Sequence, residues 1–535
     1  MHWADQLAEQ VIARAKREGR TPNVKCQQTP SGGKHIGNLN DVLRAWFPVK
    51  AVRERGVGCE FVHTTDDRDP LKDVPAKIAD LDAAWHESKE FPGISKYLGQ
   101  PLCRIPDPFG CCESWSEHFT EVWMRGVYAL EVHPELYSVD ALYEQGRLEP
   151  FVRMVFEKAS EAGKLAAKFQ ATKSEKYIPF DAICPNCGVL TNVDSFDLEN
   201  KTVHFVCGGK AIKKKKAEGC GCEGEVPWSE GKLQWRFEWP ALMGAFHTTF
   251  EPFGKDHFEG SWKGVLEIMP EIFGLEPPIP FVYEFFLVNG EKMSASKGNV
   301  YVVQDVLKIM EREPFNFFYV KRPEKQRDLD LGRVFQLVDE FDEAERAYFG
   351  ESTGKSEAKE ENTKRMYELA VSSVPEKAPV RVSYSFAAAL AQVLDEDAAI
   401  AKLKELGHLK GASKKDEESC RNRLLLAKNW IASFAGNEFK IKIIASGQAA
   451  EKYVLLPDGQ KRVLNEFADV LLKGGTEAEQ ASKAKELCAE HGITTQDFFK
   501  AAYAVLLGKE KGPRLIPLVN ALDRKMVARR FRGEE

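Results

Sequence analysis

The sequence predicts an α/β fold in which an insertion splits a parallel sheet, followed by an all-helical C-terminal region. Strand-like runs at residues 24–27, 60–64 and 281–288 alternate with stretches of helical apolar spacing, as in a parallel sheet with crossover helices. Two cysteine-rich stretches fall between residues 91 and 235, and we assign the insertion to that interval. This organisation fits a Rossmann-type core, in which phosphates bind at the carboxyl ends of the strands.

A glycine-rich turn followed by a helix opens the predicted core. The turn is Pro30-Ser-Gly-Gly33, and apolar residues recur with helical spacing after His35. The turn brings His35 and the first free amides of the helix to one point, where a phosphate is favoured. Gly37 lets a flat adenine approach the backbone because it has no Cβ. Taken alone, the segment fits a turn that only starts a buried helix equally well.

A second candidate phosphate-binding segment is Lys292-Met-Ser-Ala-Ser-Lys-Gly-Asn299. It follows a strand-like run and an Asn-Gly turn, which predicts a loop. Lys292 and Lys297 supply positive charge for phosphate oxygens, and two hydroxyl groups can also donate, those of Ser294 and Ser296. The alternative is a solvated basic loop.

Composition places the chain among ordinary globular proteins. Its 535 residues predict three or four domains, and 43% hydrophobic with 29% charged residues is a usual balance. The net charge of −6 means that a nucleic-acid-binding surface would be a local patch. The sequence has no run of 18 apolar residues and no basic start followed by an apolar stretch. We therefore expect no signal peptide, no membrane span and a cytoplasmic location.

Five of the twelve cysteines lie between residues 184 and 222, with spacing typical of a zinc ribbon. The predicted tetrahedral ligands are Cys184, Cys187, Cys207 and Cys220, and Cys222 competes for the fourth position. Four thiolates leave no open coordination position, so a structural role is expected. The lysine tract 213–216 is either a solvated loop tip or a contact for an RNA backbone.

A second cluster of metal-ligand types lies at residues 107–118. Asp107, Cys111, Cys112 and His118 could close another tetrahedral site. The alternative is a pair of buried free cysteines beside a core histidine.

The two candidate phosphate-binding segments together resemble the paired ATP-binding signatures of class I aminoacyl-tRNA synthetases, H-I-G-H and K-M-S-K-S. Over residues 1–335 the resemblance narrows to the class I lysyl-tRNA synthetases of archaea and some bacteria. It is carried by further stretches: Thr64–Pro70, Asp107–His118, Lys232–Pro240, Phe253–His257 and Pro323–Asp330. The chain departs from the usual family pattern at three positions: Gln27 for glycine, Cys112 for histidine and Ala295 for lysine.

The resemblance implies an ATP site and a catalytic set within it. The ATP-binding residues would be Pro30, Gly32, His35, Gly37, Asn38, Lys292, Met293, Ser294, Ser296 and Lys297. Catalysis would rest on His35, Asn38, Lys292 and Lys297. Because of Ala295, which of the two lysines carries the transition-state charge stays open.

The resemblance also implies a pocket for lysine, with an aromatic wall for its stem and acceptors for its ammonium group. The candidate residues are Thr29, Asp66, Asp67, Trp235, His257 and Tyr283. Asp66 or Asp67 would be the counter-charge. The structural alternatives are a core Trp235, a fold-stabilising His257 and a helix cap formed by the aspartate pair.

The expected enzyme is a lysine–tRNA ligase that uses ATP, Mg²⁺ and Zn²⁺ and acts on L-lysine and tRNA(Lys). The alternatives are another class I specificity, such as glutamate or arginine, and a catalytically silent tRNA-binding paralogue. Residues 1–90 and 236–335 would form the halves of the core, 91–235 the zinc-containing insertion, and 336–535 a helical anticodon-binding domain. Residues 352–362 predict a polar loop, and we expect a monomer.

Overall fold

A five-stranded sheet in which every pairing is parallel organises the N-terminal part of the chain. The computed structural model describes residues 1–212, 215–293, 299–321, 323–352, 354 and 356–534. They form two units: unit 1 comprises residues 1–305, 316–328 and 369–372, and unit 2 comprises residues 306–315, 329–368 and 373–535.

The strands fall into one parallel sheet, one antiparallel sheet and several short pairs. In chain order they are β1 Asn23–Gln28, β2 Glu60–Thr65, β3 Lys77–Ala79, β4 Trp85–Glu87, β5 Glu135–Ser138, β6 Phe180–Ile183, β7 Leu190–Asp197, β8 Thr202–Val206, β9 Lys210–Ile212, β10 Lys215–Ala217, β11 Glu223–Pro227, β12 Gly231–Leu233, β13 Phe250–Gly254, β14 Ile279–Tyr283, β15 Leu287–Val288 and β16 Asp328–Leu329. The parallel sheet has the order β5-β2-β1-β13-β14. Chain order therefore reverses between β1 and β13, the switch point of a Rossmann-type sheet.

The helices of the first part of the chain flank this sheet or belong to the segments inserted in it. They are α1 Trp3–Glu18, α2 Leu39–Glu54, α3 Trp115–Ala129, α4 Val139–Glu144, α5 Glu149–Glu157, α6 Ala159–Phe169, α7 Trp235–Ala245, α8 Lys255–Glu259 and α9 Ser261–Ile268. Next come α10 Val303–Leu307 and α11 Arg312–Val320, which contain residues of both units. A short 3₁₀ turn, Ile36–Asn38, precedes α2.

The antiparallel sheet β11-β8-β7-β6-β12 lies in the chain between β5 and β13 of the parallel sheet. It packs in a core with the buried side chains of Phe156, Phe180, Phe205 and Trp228. A smaller core lies around Leu71, Ile78, Leu102, Trp115 and Phe119; we call residues 69–119 the hairpin module, because it contains the β3–β4 hairpin.

Unit 2 is helical. Its elements are α12 Val334–Tyr348, α13 Glu357–Ala370, α14 Tyr384–Val393, α15 Glu396–Glu405, α16 Lys414–Ser433, α17 Ser446–Val454, α18 Asp458–Lys473, α19 Glu477–Glu490, α20 Thr495–Leu507, α21 Leu515–Ala521 and α22 Arg524–Phe531; the last two residues of α13 belong to unit 1. Phe467, Phe498 and Phe531 are fully buried in one of its cores. Arg423 forms buried ion pairs with Glu311 and Asp342, both at 2.6 Å.

Parts of the sequence-based assignment are confirmed and parts are corrected. The strands at residues 24–27 and 60–64, the parallel sheet and the helical C-terminal region are confirmed. The run 281–288 is not one strand, because the chain leaves the sheet after Tyr283, where the amide of Glu284 donates to the carbonyl of Pro323. The predicted polar loop at 352–362 was too long, since α13 begins at Glu357 with the strong helix formers Glu, Ala and Lys. Among the helices of the described residues, none is long and apolar enough to cross a membrane.

Candidate active site

A polar cavity of about 260 Å³ opens at the carboxyl ends of β1 and β13, at the switch point of the sheet. Ligands of open parallel sheets bind in this crevice, because the loops diverge there. The lining residues are Gln27, Gln28, Thr29, Lys34, Asn38, Asp41, Asp66, Asp69, Lys72, Trp235, Trp239, Glu251, Pro252, Phe253 and His257. The cavity therefore combines four carboxylates with aromatic rings and two lysines.

Three polar side chains of the lining have atoms without a hydrogen-bond partner among the described residues. The unpaired atoms are Nε2 and Oε1 of Gln28, Oδ1 of Asp66 and Oε2 of Glu251. All three side chains are more than nine-tenths buried. Buried polar atoms are normally paired, so these atoms are available to polar groups of a ligand.

Asp66 is the carboxylate best placed to receive a cation. It follows β2, its Oδ2 accepts a hydrogen bond from the hydroxyl of Thr29 at 3.3 Å, and its Oδ1 is unpaired. Burial, together with the nearby charges of Asp69 and Glu238, raises the pKa of Asp66 well above its usual value. A bound ammonium group would reverse this effect, because an adjacent positive charge favours the ionised carboxyl.

Asp41 provides a second acidic group, and it acts together with Tyr283. The hydroxyl of Tyr283 donates to Oδ1 of Asp41 at 2.5 Å. Burial raises the pKa of Asp41 to about 7, although this hydrogen bond lowers it. Because the hydroxyl of Tyr283 donates its hydrogen bond to Asp41, the phenolic oxygen can still accept one. This suits a donor such as an ammonium group.

Buried ion pairs fix the floor of the cavity. Lys25 on β1 contacts Glu251 on β13 at 2.9 Å, and the same oxygen of Glu251 accepts from the indole of Trp239 at 2.8 Å. Lys232 bridges Asp69 at 2.6 Å and Glu238 at 2.8 Å. Breaking a buried pair leaves an uncompensated charge, which strongly destabilises a protein. These pairs therefore hold the lining side chains in place.

The aromatic side of the cavity is built on α7 and α8. Trp235 stacks on Trp239 with ring centres 5.5 Å apart and an interplanar angle of 10°. The ring of His257 lies 6.1 Å from Trp235 and 5.5 Å from Trp239. Flat rings of this kind can cover an aliphatic chain and attract a cation.

The structure separates the predicted pocket residues into two groups. Thr29, Asp66, Trp235 and His257 line the cavity. Tyr283 reaches it through Asp41, and Asp67 does not line it. The carboxyl of Asp67 accepts instead from the amide of Asp140 at 2.8 Å, at the start of α4. Of the two aspartates left open by the sequence, Asp66 is the one at the cavity.

The ring of His35 packs closely against the backbone of Gly37. Nδ1 of His35 accepts from the amide of Gly37 at 3.1 Å, so the proton of a neutral ring lies on Nε2. Burial, with the charge of Lys34, lowers the pKa of His35 to about 4. A methyl group added at Gly37 would lie 2.8 Å from the ring of His35 and 3.1 Å from Cε of Met293. Glycine is therefore required for this approach.

Met293 and Tyr301 join the second segment to the first. Met293 is buried beside Gly37, and the carbonyl of Tyr301 accepts from the amide of Ile36 at 2.8 Å. Lys292 is exposed, and its ammonium lies 4.5 Å from the centre of the Phe285 ring. The predicted ATP-binding residues Ser294, Ser296 and Lys297 lie outside the described residues.

The remaining predicted residues of the first segment occupy different places. Asn38 lines the cavity. Gly32 has a φ of +145°, which L side chains rarely adopt, and a methyl group there would lie 3.4 Å from Pro75. Pro30 is buried at the start of the turn. The turn thus depends on glycine at Gly32, as well as on the residues packed against it.

The cysteines of the insertion form a compact group. One sulfur each from Cys184, Cys187, Cys207 and Cys220 lies within 4.8 Å of all the others, and two pairs are 3.6 Å apart. Zinc–sulfur bonds of about 2.3 Å in a tetrahedron place sulfurs about 3.8 Å apart, so the group fits zinc. The sulfur of Cys222 contacts the carbonyl of Glu223 instead and is outside the group.

A second compact group is formed by Asp107, Cys111, Cys112 and His118. Nδ1 of His118 lies 3.2 Å from the sulfur of Cys111 and 3.3 Å from Oδ1 of Asp107. Nε2 of His118 contacts the carbonyl of Ala79 at 2.9 Å. It must donate this hydrogen bond, which leaves Nδ1 of the neutral ring free to coordinate a metal. These donors and spacings also fit zinc.

Sequence reasoning missed several cavity residues. They are Gln28, Lys34, Asp41, Asp69, Lys72, Trp239 and Glu251. Asp69 belongs to the stretch Thr64–Pro70, and Trp239 belongs to Lys232–Pro240, so both were inside recognised stretches. Lys25 and Glu251 gave a further signal, since charged residues inside buried strands indicate a partner or a site.

Comparison with known proteins places these features in a family. The family model "tRNA synthetases class I (K)" matches residues 1–373. A lysine–tRNA ligase of Natronomonas pharaonis is 36% identical over 542 residues, which cover 99% of this chain and 97% of that protein. The lysine–tRNA ligase of Haloarcula marismortui is 36% identical over 539 residues, with coverage of 100% and 97%. That of Pyrococcus horikoshii is 32% identical over 556 residues and covers both chains completely.

Proposed function

Because the chain belongs to the class I (K) tRNA synthetases, we propose that it is a lysine–tRNA ligase. Relatives of that activity match it over nearly their full length, at 30–36% identity. The enzyme would join the carboxylate of L-lysine to the α-phosphorus of ATP, with release of pyrophosphate. It would then transfer the lysyl group to the terminal 2′-hydroxyl of tRNA(Lys).

The observation that carries this proposal is the acidic cavity with unpaired buried polar atoms. Asp66 and the Asp41–Tyr283 pair offer acceptors for the two ammonium groups of lysine. The stacked Trp235 and Trp239 form a wall for the four-carbon stem. A glutamate substrate would require cations at these places, because a buried carboxylate needs a positive partner.

The segment around His35 would hold the triphosphate. With its pKa lowered to about 4, His35 is neutral at physiological pH. Its Nε2–H is then a donor toward a phosphate oxygen, while Nδ1 is held by Gly37. Asn38 adds an amide at the cavity, and Lys292 and Lys297 would supply charge for the departing pyrophosphate. Bound Mg²⁺ would neutralise part of the phosphate charge.

Two zinc ions would support this catalytic machinery. Cys184, Cys187, Cys207 and Cys220 would hold one of them, and Asp107, Cys111, Cys112 and His118 the other. Both sets are filled by protein ligands, so both ions would be structural. Cysteine in place of histidine at residue 112 is consistent with this role, since thiolate and imidazole are both zinc ligands.

The helical region of unit 2 would bind the anticodon. Splayed bases of single-stranded RNA usually stack on aromatic side chains and meet basic groups. Most of the basic run at residues 524–532 forms α22, Arg524–Phe531, whose Val527 and Phe531 are buried. The exposed Lys525 and Arg529 can therefore contact RNA phosphates while the helix is anchored in the core. We further propose a monomeric enzyme of the cytoplasm.

Aminoacylation of tRNA tests the proposal. Purified protein is incubated with ATP, Mg²⁺, radiolabelled lysine and a tRNA(Lys) transcript, and acid-precipitable label is counted. A tRNA(Glu) transcript with labelled glutamate is the matched control. Lysylation of tRNA(Lys) alone is expected. Charging of the glutamate pair, or no charging with either, would contradict the assignment.

A further inference from the structure

The metal cluster at residues 107–118 contacts the β3–β4 hairpin directly. His118 is fully buried and donates from Nε2 to the carbonyl of Ala79, which lies on β3. The ring of Phe109 stacks on His118 with centres 4.7 Å apart and lies 5.3 Å from the ring of His86 on β4. Both strands of the hairpin are thus held by residues at the cluster.

The same hairpin presents Trp85 to the first candidate phosphate-binding segment and to α10, which follows the second. Trp85 pairs with Ala79 in the register of the hairpin. A methyl group added at Gly33 would lie 2.8 Å from the indole ring of Trp85, so the ring covers the glycine-rich turn. On its other side, the indole nitrogen donates to Asp305 at 3.4 Å. The carbonyl of Tyr301, four residues before Asp305, accepts a hydrogen bond from the amide of Ile36.

From these contacts we propose that the metal held by Asp107, Cys111, Cys112 and His118 positions Trp85, and that Trp85 in turn holds the glycine-rich turn of the first candidate phosphate-binding segment against α10, the helix that follows the second. The metal would orient His118, His118 would fix Ala79, and the hairpin would carry Trp85 to Gly33 and Asp305. This role deepens the proposed function and rests on it. Trp85 is a positioning residue, because it acts on ATP through other groups.

The hairpin module has reason to need a metal. Its core cluster contains seven buried apolar side chains, with a few partly buried ones packed against them, and small cores of this kind usually need a metal or a disulfide to be stable. His118 would bind the metal through Nδ1, while its Nε2 donates to the backbone carbonyl of Ala79. A hydrogen bond of this kind fixes the orientation of the ligand ring, so a change at the metal would be felt at Ala79. Loss of the metal should therefore loosen the hairpin before it loosens the parallel sheet.

The test compares Cys112→Ala with Cys112→His in the full-length protein. Zinc content is measured by elemental mass spectrometry. Amide hydrogen exchange is followed in peptides that cover residues 29–38. We expect the alanine variant to lose one of two zinc equivalents, to exchange faster at residues 29–38 and to show an ATP KM raised by about tenfold. The lysine KM should change less than twofold. The histidine variant should retain both ions and match the wild type.

Two further variants separate this role from general destabilisation. Trp85→Leu should keep both zinc equivalents and still show the faster exchange and the raised ATP KM. Cys187→Ala, in the other cluster, should lose one zinc without changing exchange at residues 29–38. The proposal is overturned if Cys112→Ala loses zinc with unchanged exchange and ATP KM, or if Cys187→Ala has the same effect on residues 29–38. Lysine-dependent activity of the wild type tests the proposed function separately.

Discussion

Replacement of Asp66 by Asn should weaken lysine binding more than any other single change in the cavity. Oδ1 of Asp66 is buried and has no partner among the described residues, so the carboxylate is available to a ligand cation. Removing one member of a buried charged hydrogen bond costs about 2–5 kcal/mol. Part of this is offset, because burial raises the pKa of Asp66 and its ionisation itself has a cost. A net loss of about 3 kcal/mol corresponds to an increase of about 100-fold in lysine KM.

The matched control is Asp67→Asn, at the adjacent residue. Asp67 accepts from the amide of Asp140 in the first turn of α4 and does not line the cavity. Its replacement should change the lysine KM less than about threefold. The assay is pyrophosphate exchange at varied lysine, with norleucine as a competitor that lacks the side-chain ammonium. In Asp66→Asn, the preference for lysine over norleucine should largely disappear. A lysine KM unchanged in Asp66→Asn, or raised only in Asp67→Asn, would refute the assignment of this carboxylate.

Three other changes test different parts of the account. The pKa of Asp41 is about 7 in the folded protein and near 3.8 when unfolded, so the stability that this carboxyl provides is complete below pH 3.8 and is lost as pH rises through 7. Asp41→Asn should therefore raise Tm by about 3 °C at pH 8 and by less at pH 5 in differential scanning calorimetry, while lysine KM increases; an equal shift at both pH values would argue against a buried ionised carboxyl. Gly37→Ala should lower kcat at least about tenfold in pyrophosphate exchange, because the added methyl group displaces the ring of His35, and wild-type kcat would mean that the ring position is unimportant. Cys184→Ser should lose one zinc equivalent and melt at least about 5 °C lower, since structural zinc contributes directly to folding; a variant that retains full zinc would place the ion elsewhere.

Periodicity and turn residues were sufficient for the elements whose sequences follow simple patterns. The strands β1 and β2 are bounded by turn signals, and the C-terminal helices have clear apolar spacing. Two strands of the sheet were not predicted. β5 has only four residues, and β13 contains Pro252 and ends at Gly254, both of which weaken a strand pattern. In the sheet, β5 pairs with β2, and β13 pairs with β1. Local sequence does not specify these pairings.

The site was predictable where a short motif contains the residues, and less so where tertiary contacts select them. The contact of Met293 with Gly37 follows from the expectation that the two motifs share one ligand. The choice of Asp66 over Asp67 does not follow from a motif, because adjacent residues at a strand end point in different directions. Asp41 lies one helical turn beyond the first motif and lines the cavity itself, and Tyr283 on β14 joins the site only by donating to it.

The most direct test of the central claim is amino-acid-dependent exchange of pyrophosphate into ATP, measured with each of the twenty amino acids, with and without tRNA(Lys). The protein should first be shown to contain zinc. The acidic, aromatic-walled cavity predicts exchange with lysine alone. Exchange with a different amino acid would contradict the proposed pocket, and absence of exchange under every condition would contradict the enzyme itself.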